Sequence, residues 1–513
     1  MSISGSFFSA ARSFKGNVAI AAENHSITYG QLAERTSRLC NVLRAFGIFV
    51  GDVVAGIMPN KHELVELDLA CATGGFLRTL LNSRAPAEDY VHCLNLAGAK
   101  ILVFDASITP IIDSIRDQLD VQRYVCVGGA LPWADDYEAL LAKASSSCEQ
   151  ARIAASAPHS IYFTSGTTGK PKGVLLSHLN WMRIIYCYTA EMDPWQGKND
   201  VVMLAAPLTH ATGSLVMPTL LRGSKLLLLD HFDAGRVNQL LASEGVSSTF
   251  MAPTMIQLLM QHVTPQQAKN FRLRCMLYGG APFPTHRLQE ALELFGPVMV
   301  QGYGQWESPV AISLLTREDH MAGLKGNSPI LSSGGRASMF SDIEILDDDG
   351  NILAPGSVGE ISASGPQLMV SYYKNEEATK EIRHGIWQRT GDIGYKDEQG
   401  YLYITDRKKD MIITGGMNVY PTQVEHTLYQ HDELEELCVV GVPDDLWGET
   451  VHVVAVRKKG ATISDVELLA WAKDRLPKDR RPRTAEFVDA LPKNNYGKIL
   501  RRHVRDAVRS RIK

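Results

Sequence analysis

The sequence lacks the features that mark several large classes of protein. Its eight cysteines are scattered and form no C-x-x-C pair, so neither a disulfide framework nor a zinc site is indicated. Reduced thiols of this kind fit a cytosolic protein best. No unbroken apolar run is long enough to span a bilayer, and the formal net charge of −4 argues against broad nucleic-acid binding. We therefore expect a cytoplasmic protein with no nucleic-acid partner and no integral membrane contact.

The composition is that of a folded protein with more than one domain. The 513 residues are far too many for one small domain, and 45% of them are hydrophobic, which is enough for large buried cores. Charged residues make up 21% of the chain, so disorder is not expected.

Short apolar runs alternate with longer amphipathic stretches over the first two thirds of the chain. Residues 31–46 and 284–295 have helical spacing. This alternation predicts an α/β architecture with largely parallel sheets. The predicted buried strands are VVAGIM (53–58), ILVFD (101–105), YVCVG (124–128), SIYFTS (160–165), VVMLAA (201–206), KLLLLD (225–230), SSTFMA (247–252), RCMLYG (274–279) and PVMVQG (297–302).

The pattern changes after about residue 335. FSDIEILDDDGNILAPGSVGEI predicts hairpins, because DDDG and PGS interrupt β-type runs. Beyond Asp406 a small α/β unit is predicted, with a helix at 464–475. We place the domain boundary where charge clusters between two strand-like pieces, which gives domains at 1–405 and 406–513.

The stretch TSGTTGKPKG at 164–173 predicts a phosphate-binding loop. Glycines let backbone N–H groups converge on an anion, hydroxyl groups add donors, and two lysines supply charge. It is not the P-loop motif G-x-x-x-x-G-K-[ST]. An apolar strand precedes the loop and LLSHLNWMRIIYCYTA after it has helical character, so strand, loop and helix are expected in that order. The ordinary alternative is a solvated Gly/Ser turn.

Six motifs in order resemble those of the adenylate-forming (AMP-binding) superfamily, in its branch of acyl- and aryl-CoA synthetases. They are TSGTTGKPKG (164–173), YGGAP (278–282), QGYGQWES (301–308), RTGDIG (389–394), ITDRKKDMIITGGMNVYP (404–421) and LPKNNYGKILRR (491–502), which together span most of the chain. The resemblance implies a large N-terminal domain of stacked α/β sheets with a β-rich subdomain. It also implies a small mobile α+β C-terminal domain.

The reaction that the resemblance implies joins a carboxylic acid to AMP and then to coenzyme A. In the family the glycine-rich loop holds the β- and γ-phosphates, which leave as pyrophosphate. ATP, Mg²⁺ and coenzyme A are the implied cofactors. The implied catalytic residues are Lys498, Thr168, Glu307 and His210, with Glu307 also the Mg²⁺ ligand. The implied cofactor-binding residues are Thr164, Ser165, Gly166, Thr167, Gly169, Lys170, Lys172, Gly280, Ala281, Pro282, Tyr303, Gly304, Asp392, Arg407, Gly415 and Gly416.

The resemblance assigns a role to each part of the nucleotide. Asp392 would accept both ribose hydroxyls, since one carboxylate can bridge a vicinal diol. Arg407 would contact the ribose or phosphate, and Tyr303 would stack on adenine. Gly280 and Ala281 would let the backbone approach the purine closely.

The C-terminal motifs imply two half-reactions and a hinge between them. Lys498 would neutralise the charge that develops on the α-phosphate and carboxylate oxygens. After adenylation the C-terminal domain would rotate about Asp406, so that Lys498 leaves and the 404–418 loop enters. GGM at 415–417 would line the pantetheine tunnel. The basic stretch 473–483 would contact coenzyme A phosphates or be a solvated face.

Taken singly, these residues have ordinary alternatives. Glu307 would then be a surface carboxylate, Asp392 a turn residue, Tyr303 plain packing, Lys498 a surface lysine and His210 a packed histidine. Their order along the chain favours the functional assignments.

Two stretches depart from the family pattern. Trp306 stands where the family has a threonine whose hydroxyl helps to bind the α-phosphate, and an indole cannot replace that contact. GGFLRTLLNSRAP at 74–86 replaces a smoother apolar segment, and the sequence suggests no reason for it. Two alternative functions stay open: an acyl-adenylating enzyme that loads a carrier protein, and a degenerate nucleotide-binding regulatory protein, which Trp306 alone supports.

The substrate is expected to be a fatty or aryl acid. Ala211 stands where peptide-synthetase adenylation domains place an aspartate for an α-ammonium, which disfavours α-amino acids. His210 resembles the residue that gates the acyl pocket in CoA ligases. Homodimers are common in the family, so a homodimer is expected by analogy alone. The expected walls of the acyl pocket are Trp181, Ile185, Thr212, Gly213, Leu215 and Val310.

Overall fold

The computed structural model describes residues 2–22, 25–164, 170–326, 329–493 and 499–512. The chain divides into two compact units. The first comprises Met1–Ile343 and Ala363–Gln388, and the second comprises Glu344–Ser362 and Arg389–Lys513. None of the helices in the described ranges is long and apolar enough to cross a membrane.

The strands of the described residues are, in chain order, β1 (Val18–Ala22), β2 (His25–Thr28), β3 (Val53–Ile57), β4 (Leu77–Leu81), β5 (Ala99–Asp105), β6 (Arg123–Val127), β7 (Asp135–Asp136), β8 (Pro158–Thr164), β9 (Lys172–Ser177), β10 (Val201–Leu204), β11 (Lys225–Leu228), β12 (Ser248–Met251), β13 (Cys275–Gly279), β14 (Met299–Gln305), β15 (Ser308–Leu315), β16 (Arg336–Ala337), β17 (Asp342–Leu346), β18 (Gly359–Ser364), β19 (Ser371–Tyr372), β20 (Arg383–His384), β21 (Trp387–Lys396), β22 (Leu402–Arg407), β23 (Ile412–Thr414), β24 (Met417–Val419), β25 (Leu434–Asp444), β26 (Gly448–Arg457) and β27 (Thr484–Phe487).

The α-helices of the same residues are α1 (Ile3–Ser13), α2 (Tyr29–Ala45), α3 (His62–Gly74), α4 (Ala87–Ala97), α5 (Thr109–Ile115), α6 (Tyr137–Lys143), α7 (His178–Cys187), α8 (Val216–Leu221), α9 (Ala234–Ser243), α10 (Pro253–Met260), α11 (Pro265–Asn270), α12 (Thr285–Phe295), α13 (Arg317–Gly326), α14 (Glu376–Glu381), α15 (Pro421–Leu428), α16 (Asp465–Arg475) and α17 (Arg501–Ile512).

Two mixed sheets form the first unit in its described part. One has the strand order β19-β9-β8-β4-β3-β5-β6-β7, and the other has the order β16-β15-β14-β13-β12-β10-β11-β1-β2. Their central strands are parallel, as in β3–β5 and β12–β13. One apolar cluster contains side chains from both sheets, among them Val54 and Ile101 of one and Ile20 and Leu226 of the other. The α/β fold with stacked sheets is therefore confirmed.

The sequence pattern predicted most of these strands, because a strand buried on both faces is a short apolar run. Each of the nine predicted runs overlaps an observed strand; these strands are β3, β5, β6, β8 and β10 to β14. Helices α2 and α12 lie where helical spacing predicted them. The pattern did not single out β4, because its run Leu77–Leu81 contains the charged Arg78.

In the segment after the predicted phosphate loop, the order of strands and helices differs from the predicted one. Strand, loop and helix were predicted, but Lys172–Ser177 is the strand β9, which pairs antiparallel with β8. Helix α7 begins only at His178. The Ser177 hydroxyl accepts a hydrogen bond from the Asn180 backbone N–H, and the Asn180 side chain accepts one from the Ser177 N–H. This capping box starts the helix, and leaves Leu175–Ser177 in the strand.

The second unit is built from β-hairpins and a small α/β portion. Strand β17 lies beside β18, with a turn at Asp347–Gly350, as DDDG predicted. Strands β21 and β22 pair antiparallel. Strands β25 and β26 pair antiparallel, with β27 parallel to β26. Helix α16 begins at Asp465, where a capping box between Ser464 and Glu467 starts it.

Candidate active site

The predicted phosphate loop joins two paired strands. Thr164 at the end of β8 lies opposite Lys172 at the start of β9. The predicted residues Ser165, Gly166, Thr167, Thr168 and Gly169 lie outside the described residues. Lys170 is exposed. The hairpin therefore places Thr164 and Lys172 on either side of the loop, and the loop's contact with phosphate stays a prediction.

The Glu307 carboxylate lies beside this hairpin. The Tyr372 hydroxyl donates a hydrogen bond of 2.9 Å to Glu307 Oε1, and the Thr164 hydroxyl lies 3.5 Å from the same oxygen. The Glu307 carbonyl accepts hydrogen bonds from the Met369 N–H at 2.9 Å and from Gln388 Nε2 at 2.7 Å. Both the main chain and the carboxylate of Glu307 are thus held in place.

Tyr372 links the two sides of this arrangement. Lys172 Nζ lies 5.0 Å from the centre of the Tyr372 ring, within the range of a cation–π contact. Burial and the neighbouring Glu307 carboxylate raise the pKa of Tyr372, so its hydroxyl stays protonated and can donate. Tyr372 therefore contacts Lys172 of the loop motif and Glu307 of a separate motif, and Thr164 lies beside the same Glu307 oxygen.

Sequence reasoning missed Tyr372. It lies 65 residues beyond Glu307, and its neighbourhood SYYKN carries no motif of recognisable chemistry. The register of β19 on β9, with Tyr372 opposite Val174, brings its hydroxyl to the site. Only the pairing of distant strands supplies this information.

The oxygen atoms at and around the Glu307 carboxylate are suitable ligands for Mg²⁺. They are carboxylate and hydroxyl oxygens, which are the ligands that this hard cation prefers. Within the described residues, no group of three or more His, Cys, Asp or Glu side chains could hold a metal ion. A Mg²⁺ ion is commonly bound through one or two carboxylates together with substrate phosphates and water. Glu307 and Thr164 fit that mode.

The predicted adenine segments lie at the carboxyl ends of two neighbouring parallel strands. Strands β13 and β14 pair with Gly279 opposite Gly302. Gly280–Pro282 follow β13, and Tyr303 and Gly304 lie near the end of β14. Ligands of open α/β sheets bind outside the carboxyl ends of the strands. The structure therefore brings these five predicted residues to one edge of the sheet.

Gly280 has a conformational reason to be glycine. Its φ is +79°, in the left-handed region. A Cβ atom there would meet nothing within 4 Å, so the backbone angle and not crowding selects the residue.

His210 follows β10 in the same unit. Its Nδ1 lies 3.0 Å from the Thr209 hydroxyl oxygen, and burial lowers the pKa of His210 to about 4. The imidazole is therefore neutral near pH 7. A neutral, buried ring suits both a gate of the acyl pocket and a packed histidine, so the assignment stays a prediction.

The expected walls of the acyl pocket are mostly buried. Trp181, Ile185 and Leu215 belong to one apolar cluster, and Val310 and Trp306 pack against it. The Thr212 hydroxyl is buried and has no hydrogen-bond partner among the described residues. The surroundings are apolar, and the role of these residues as walls of an acyl pocket stays a prediction.

The second unit pairs the two predicted ribose contacts with each other. Asp392 on β21 lies opposite Arg407 on β22, and Arg407 Nε is 2.8 Å from Asp392 Oδ1. The Asp392 side chain is buried and the Arg407 side chain is 44% exposed. Arg407 is thus a solvent-accessible cation that orients the carboxylate. Their contact with ribose stays a prediction.

The predicted hinge residue Asp406 is held from several sides within the second unit. Its Oδ2 accepts a hydrogen bond of 2.7 Å from the Thr422 N–H in the first turn of α15. Its Oδ1 lies 2.7 Å from the Arg407 N–H and 3.4 Å from Arg501 Nη1. A carboxylate at a helix N-terminus is favourable because it pairs with unsatisfied N–H groups. The rotation about Asp406 stays a prediction.

The glycine pair of the predicted pantetheine tunnel forms the turn between β23 and β24. Gly415 and Gly416 have φ angles of +58° and +80°. The Gly415 N–H donates to the Trp447 carbonyl at 2.8 Å, and a Cβ on Gly415 would come within 2.5 Å of the Trp447 ring. Conformation and crowding both require glycine at this position. The predicted catalytic Lys498 lies outside the described residues.

Comparison with known proteins gives the same family over nearly the whole chain. A family model described as AMP-binding enzyme matches residues 7–373, and one described as AMP-binding enzyme C-terminal domain matches residues 423–498. A feruloyl-CoA synthase of an Amycolatopsis species is 36% identical over 94% of each chain. The medium/long-chain fatty acid–CoA ligase FadD8 of Mycobacterium tuberculosis is 32% identical over 93% of this chain and 85% of that one.

A solved structure agrees with these matches. The ATP-bound structure of MatB from Rhodopseudomonas palustris has a TM-score of 0.90 and 28% identity, and covers 100% of both chains. With the motifs in order, both family models matched and the fold shared over the full length, the chain belongs to the adenylate-forming family of AMP-binding enzymes.

Proposed function

We propose that the protein is an ATP-dependent acid–CoA ligase that activates a carboxylic acid as its adenylate and then transfers the acyl group to coenzyme A. The observation that carries the proposal is a set of contacts beside the predicted phosphate loop. Tyr372 contacts Lys172 and Glu307, and the Thr164 hydroxyl lies 3.5 Å from the Glu307 carboxylate. These residues come from three separate sequence segments, and each is part of, or contacts, a motif of the family.

The residues of this chain supply the conditions for activating an acid. Two anions, the acid and ATP, repel each other, so a positive field and fixed orientation are needed where they meet. Lys170 and Lys172 supply cationic charge at the loop, and Glu307 and Thr164 would hold Mg²⁺. That ion, when bound, neutralises phosphate charge as pyrophosphate departs. Lys498 would act at the α-phosphate.

In the second unit, Asp392 would accept hydrogen bonds from the ribose hydroxyls while Arg407 holds its carboxylate. The Asp392–Arg407 pair would thereby orient the sugar. Gly415 and Gly416 would line the path of the pantetheine thiol, which attacks the acyl carbonyl and releases AMP.

We propose an apolar fatty or aryl acid as the substrate. The curated relatives include a feruloyl-CoA synthase and a fatty acid–CoA ligase, so both classes occur among them. The apolar cluster around Trp181 and Leu215 supports such an acid, and Ala211 offers no charge for an α-ammonium group.

The test is a pyrophosphate-release screen with purified protein, ATP, Mg²⁺ and a panel of fatty, benzoic and cinnamic acids. Formation of a CoA thioester is followed by mass spectrometry in the same reactions. We expect acid-dependent pyrophosphate release and a thioester of the same acid. Adenylate without thioester would instead support loading of a carrier protein. ATP binding without turnover of any acid would support a regulatory protein.

A matched pair of variants separates the site from the rest of the surface. Glu307→Gln should lower pyrophosphate release by about 10²-fold, as expected when a charge that organises the transition state is removed. Glu318→Gln removes the carboxylate of an exposed glutamate in α13 and should have no effect. Equal rates in the two variants would contradict the role of Glu307.

Assembly is proposed on analogy with the family alone, and location on the scattered cysteines, which fit a reducing compartment. We propose a homodimer in the cytoplasm. Light scattering on the purified protein and cell fractionation test these two points.

A further inference from the structure

Trp306 stacks on Tyr162. The two ring centres lie 3.5 Å apart and the ring planes differ by 12°. Trp306 and Glu307 are the two residues of the turn between β14 and β15, where Gln305 pairs with Ser308. The residue that departs from the family pattern is therefore adjacent to the carboxylate on which the proposed metal site depends.

Strand β8 receives both residues of this turn. Tyr162 and Thr164 are two positions apart in β8, so their side chains lie on the same face of the sheet. Trp306 stacks on Tyr162, and Glu307 Oε1 lies 3.5 Å from the Thr164 hydroxyl. The turn is thus attached to one face of β8 at two neighbouring points, one aromatic and one polar.

The Tyr162 ring is itself fixed from behind. Its hydroxyl accepts a hydrogen bond of 2.9 Å from Arg78 Nη2, and the Arg78 guanidinium carbon lies 5.2 Å from the ring centre. Arg78 is 1% exposed and forms an ion pair with Asp68 on α3. The same guanidinium lies 4.9 Å from the centre of the Trp181 ring. The buried Arg78–Asp68 ion pair therefore restrains the Tyr162 ring on which Trp306 stacks.

We infer that Trp306 is a positioning residue for the Glu307 carboxylate, acting through its stack on the Tyr162 ring. The inference rests on the proposed function for the assignment of Mg²⁺ to Glu307. An indole offers no hydroxyl to a phosphate, but a stacked ring restricts the turn that presents the next side chain. The alternative is that Trp306 only fills space against the apolar cluster.

The positioning and the space-filling hypotheses predict different effects when the Trp306–Tyr162 stack is removed. A space-filling tryptophan affects stability alone, whereas a positioning tryptophan affects how much metal is needed to occupy the site. An aromatic pair of this kind corresponds to about 2- to 10-fold in an equilibrium constant. We therefore expect shifts of about that size in the metal concentration at half-saturation.

The test compares variants on both sides of the stack. Trp306→Phe retains an aromatic ring, Trp306→Leu removes it, and Tyr162→Leu removes its partner. The first readout is the Mg²⁺ concentration at half-maximal pyrophosphate release with the acid saturating. The second readout does not depend on enzyme activity. The concentration of free Mn²⁺ is measured by electron paramagnetic resonance in the presence of a non-hydrolysable ATP analogue. Circular dichroism melts confirm that each variant is folded.

We expect Trp306→Phe to match the wild type, and each leucine variant to need several-fold more metal in both readouts. Because the two rings act as one unit, the double leucine variant should be no worse than the single ones. Trp195→Leu is the control, since Trp195 lies in the same unit and is 60% exposed.

The inference is wrong if Trp306→Leu lowers the melting temperature but leaves both metal half-saturation values unchanged. It is also wrong if the effects of the two leucine variants add. If the wild type releases no pyrophosphate with any acid, the proposed function fails, and the Mn²⁺ measurement still decides the role of Trp306.

Discussion

The buried ion pair between Arg78 and Asp68 allows a sharp test of how the first unit is stabilised. Arg78 lies on β4 and Asp68 on α3, and the Arg78 side chain is 1% exposed. The perturbation is a double-mutant cycle of Arg78→Met, Asp68→Leu and the variant with both changes. Each single change leaves one charge buried without its partner, whereas the double change leaves none.

The expected magnitudes follow from the burial of the pair. Removing one partner of a buried ion pair costs about 3–5 kcal/mol, because the remaining charge is then uncompensated. Arg78→Met also loses the hydrogen bond to Tyr162 and the contacts with two aromatic rings, so it should be the worse single variant. Replacing both charges by apolar side chains is often neutral or stabilising. The double variant should therefore be more stable than either single one.

The assay is urea unfolding followed by tryptophan fluorescence, together with scanning calorimetry. Because the chain has two units, transition midpoints are compared between variants and no single free energy is assigned to the whole protein. The reasoning is refuted if either single variant keeps the wild-type midpoint. It is also refuted if the double variant is destabilised by the sum of the two single changes.

Three further predictions follow from the site and from the titrating groups. Lys498→Ala should lose adenylation by about 10²-fold, as when a positioned transition-state donor is removed, yet still convert a supplied acyl-adenylate to thioester; equal loss in both half-reactions would contradict the hinge. Burial, and then the charge of Arg78, lower the pKa of His178 from 6.5 to about 4. As the pH falls, the unfolded chain therefore takes up a proton on His178 at a higher pH than the folded chain does. About 3 kcal/mol of the free energy of unfolding, present above pH 6.5, should be lost as the pH falls to 4. Urea midpoints at several pH values measure this, and a profile unaltered by His178→Gln would disprove it. The neighbouring Cys40 thiol and the Arg44 guanidinium, whose Nη1 lies 3.2 Å from the Cys148 sulfur, lower the pKa of Cys148 below its usual value. Iodoacetamide should modify this thiol first, at a rate that rises at a lower pH than for an ordinary cysteine, and mass spectrometry should find no early adduct in Cys148→Ser.

The fold class and the order of the motifs could be predicted from the amino-acid sequence alone. A strand buried between helices is a local apolar run, and a helix start is a local capping pattern, so both can be recognised without knowing their partners. The phosphate loop was equally local, because glycines, hydroxyls and lysines lie within ten consecutive residues. The roles of Lys498 and of the other motif residues that lie outside the described ranges stay predictions from resemblance.

The contacts of the two unusual stretches became known only from the three-dimensional structure. Arg78 interrupts an apolar run, and its place becomes explicable once β4 pairs with β8 and brings it to Asp68 and Tyr162. Trp306 departs from a motif, and its stacking partner lies in a strand far away in the chain.

Tyr372 shows the same limit within the candidate site. Its hydroxyl meets Glu307 because β19 pairs in one register with β9. Strand order and register depend on long-range hydrogen bonding and packing, whereas apolar periodicity reports only which face of a segment is buried. For this reason the sequence named Glu307 and Thr164 in two separate motifs, and the fold alone brought the Thr164 hydroxyl to 3.5 Å from the Glu307 carboxylate, with the Tyr372 hydroxyl bonded to the same oxygen.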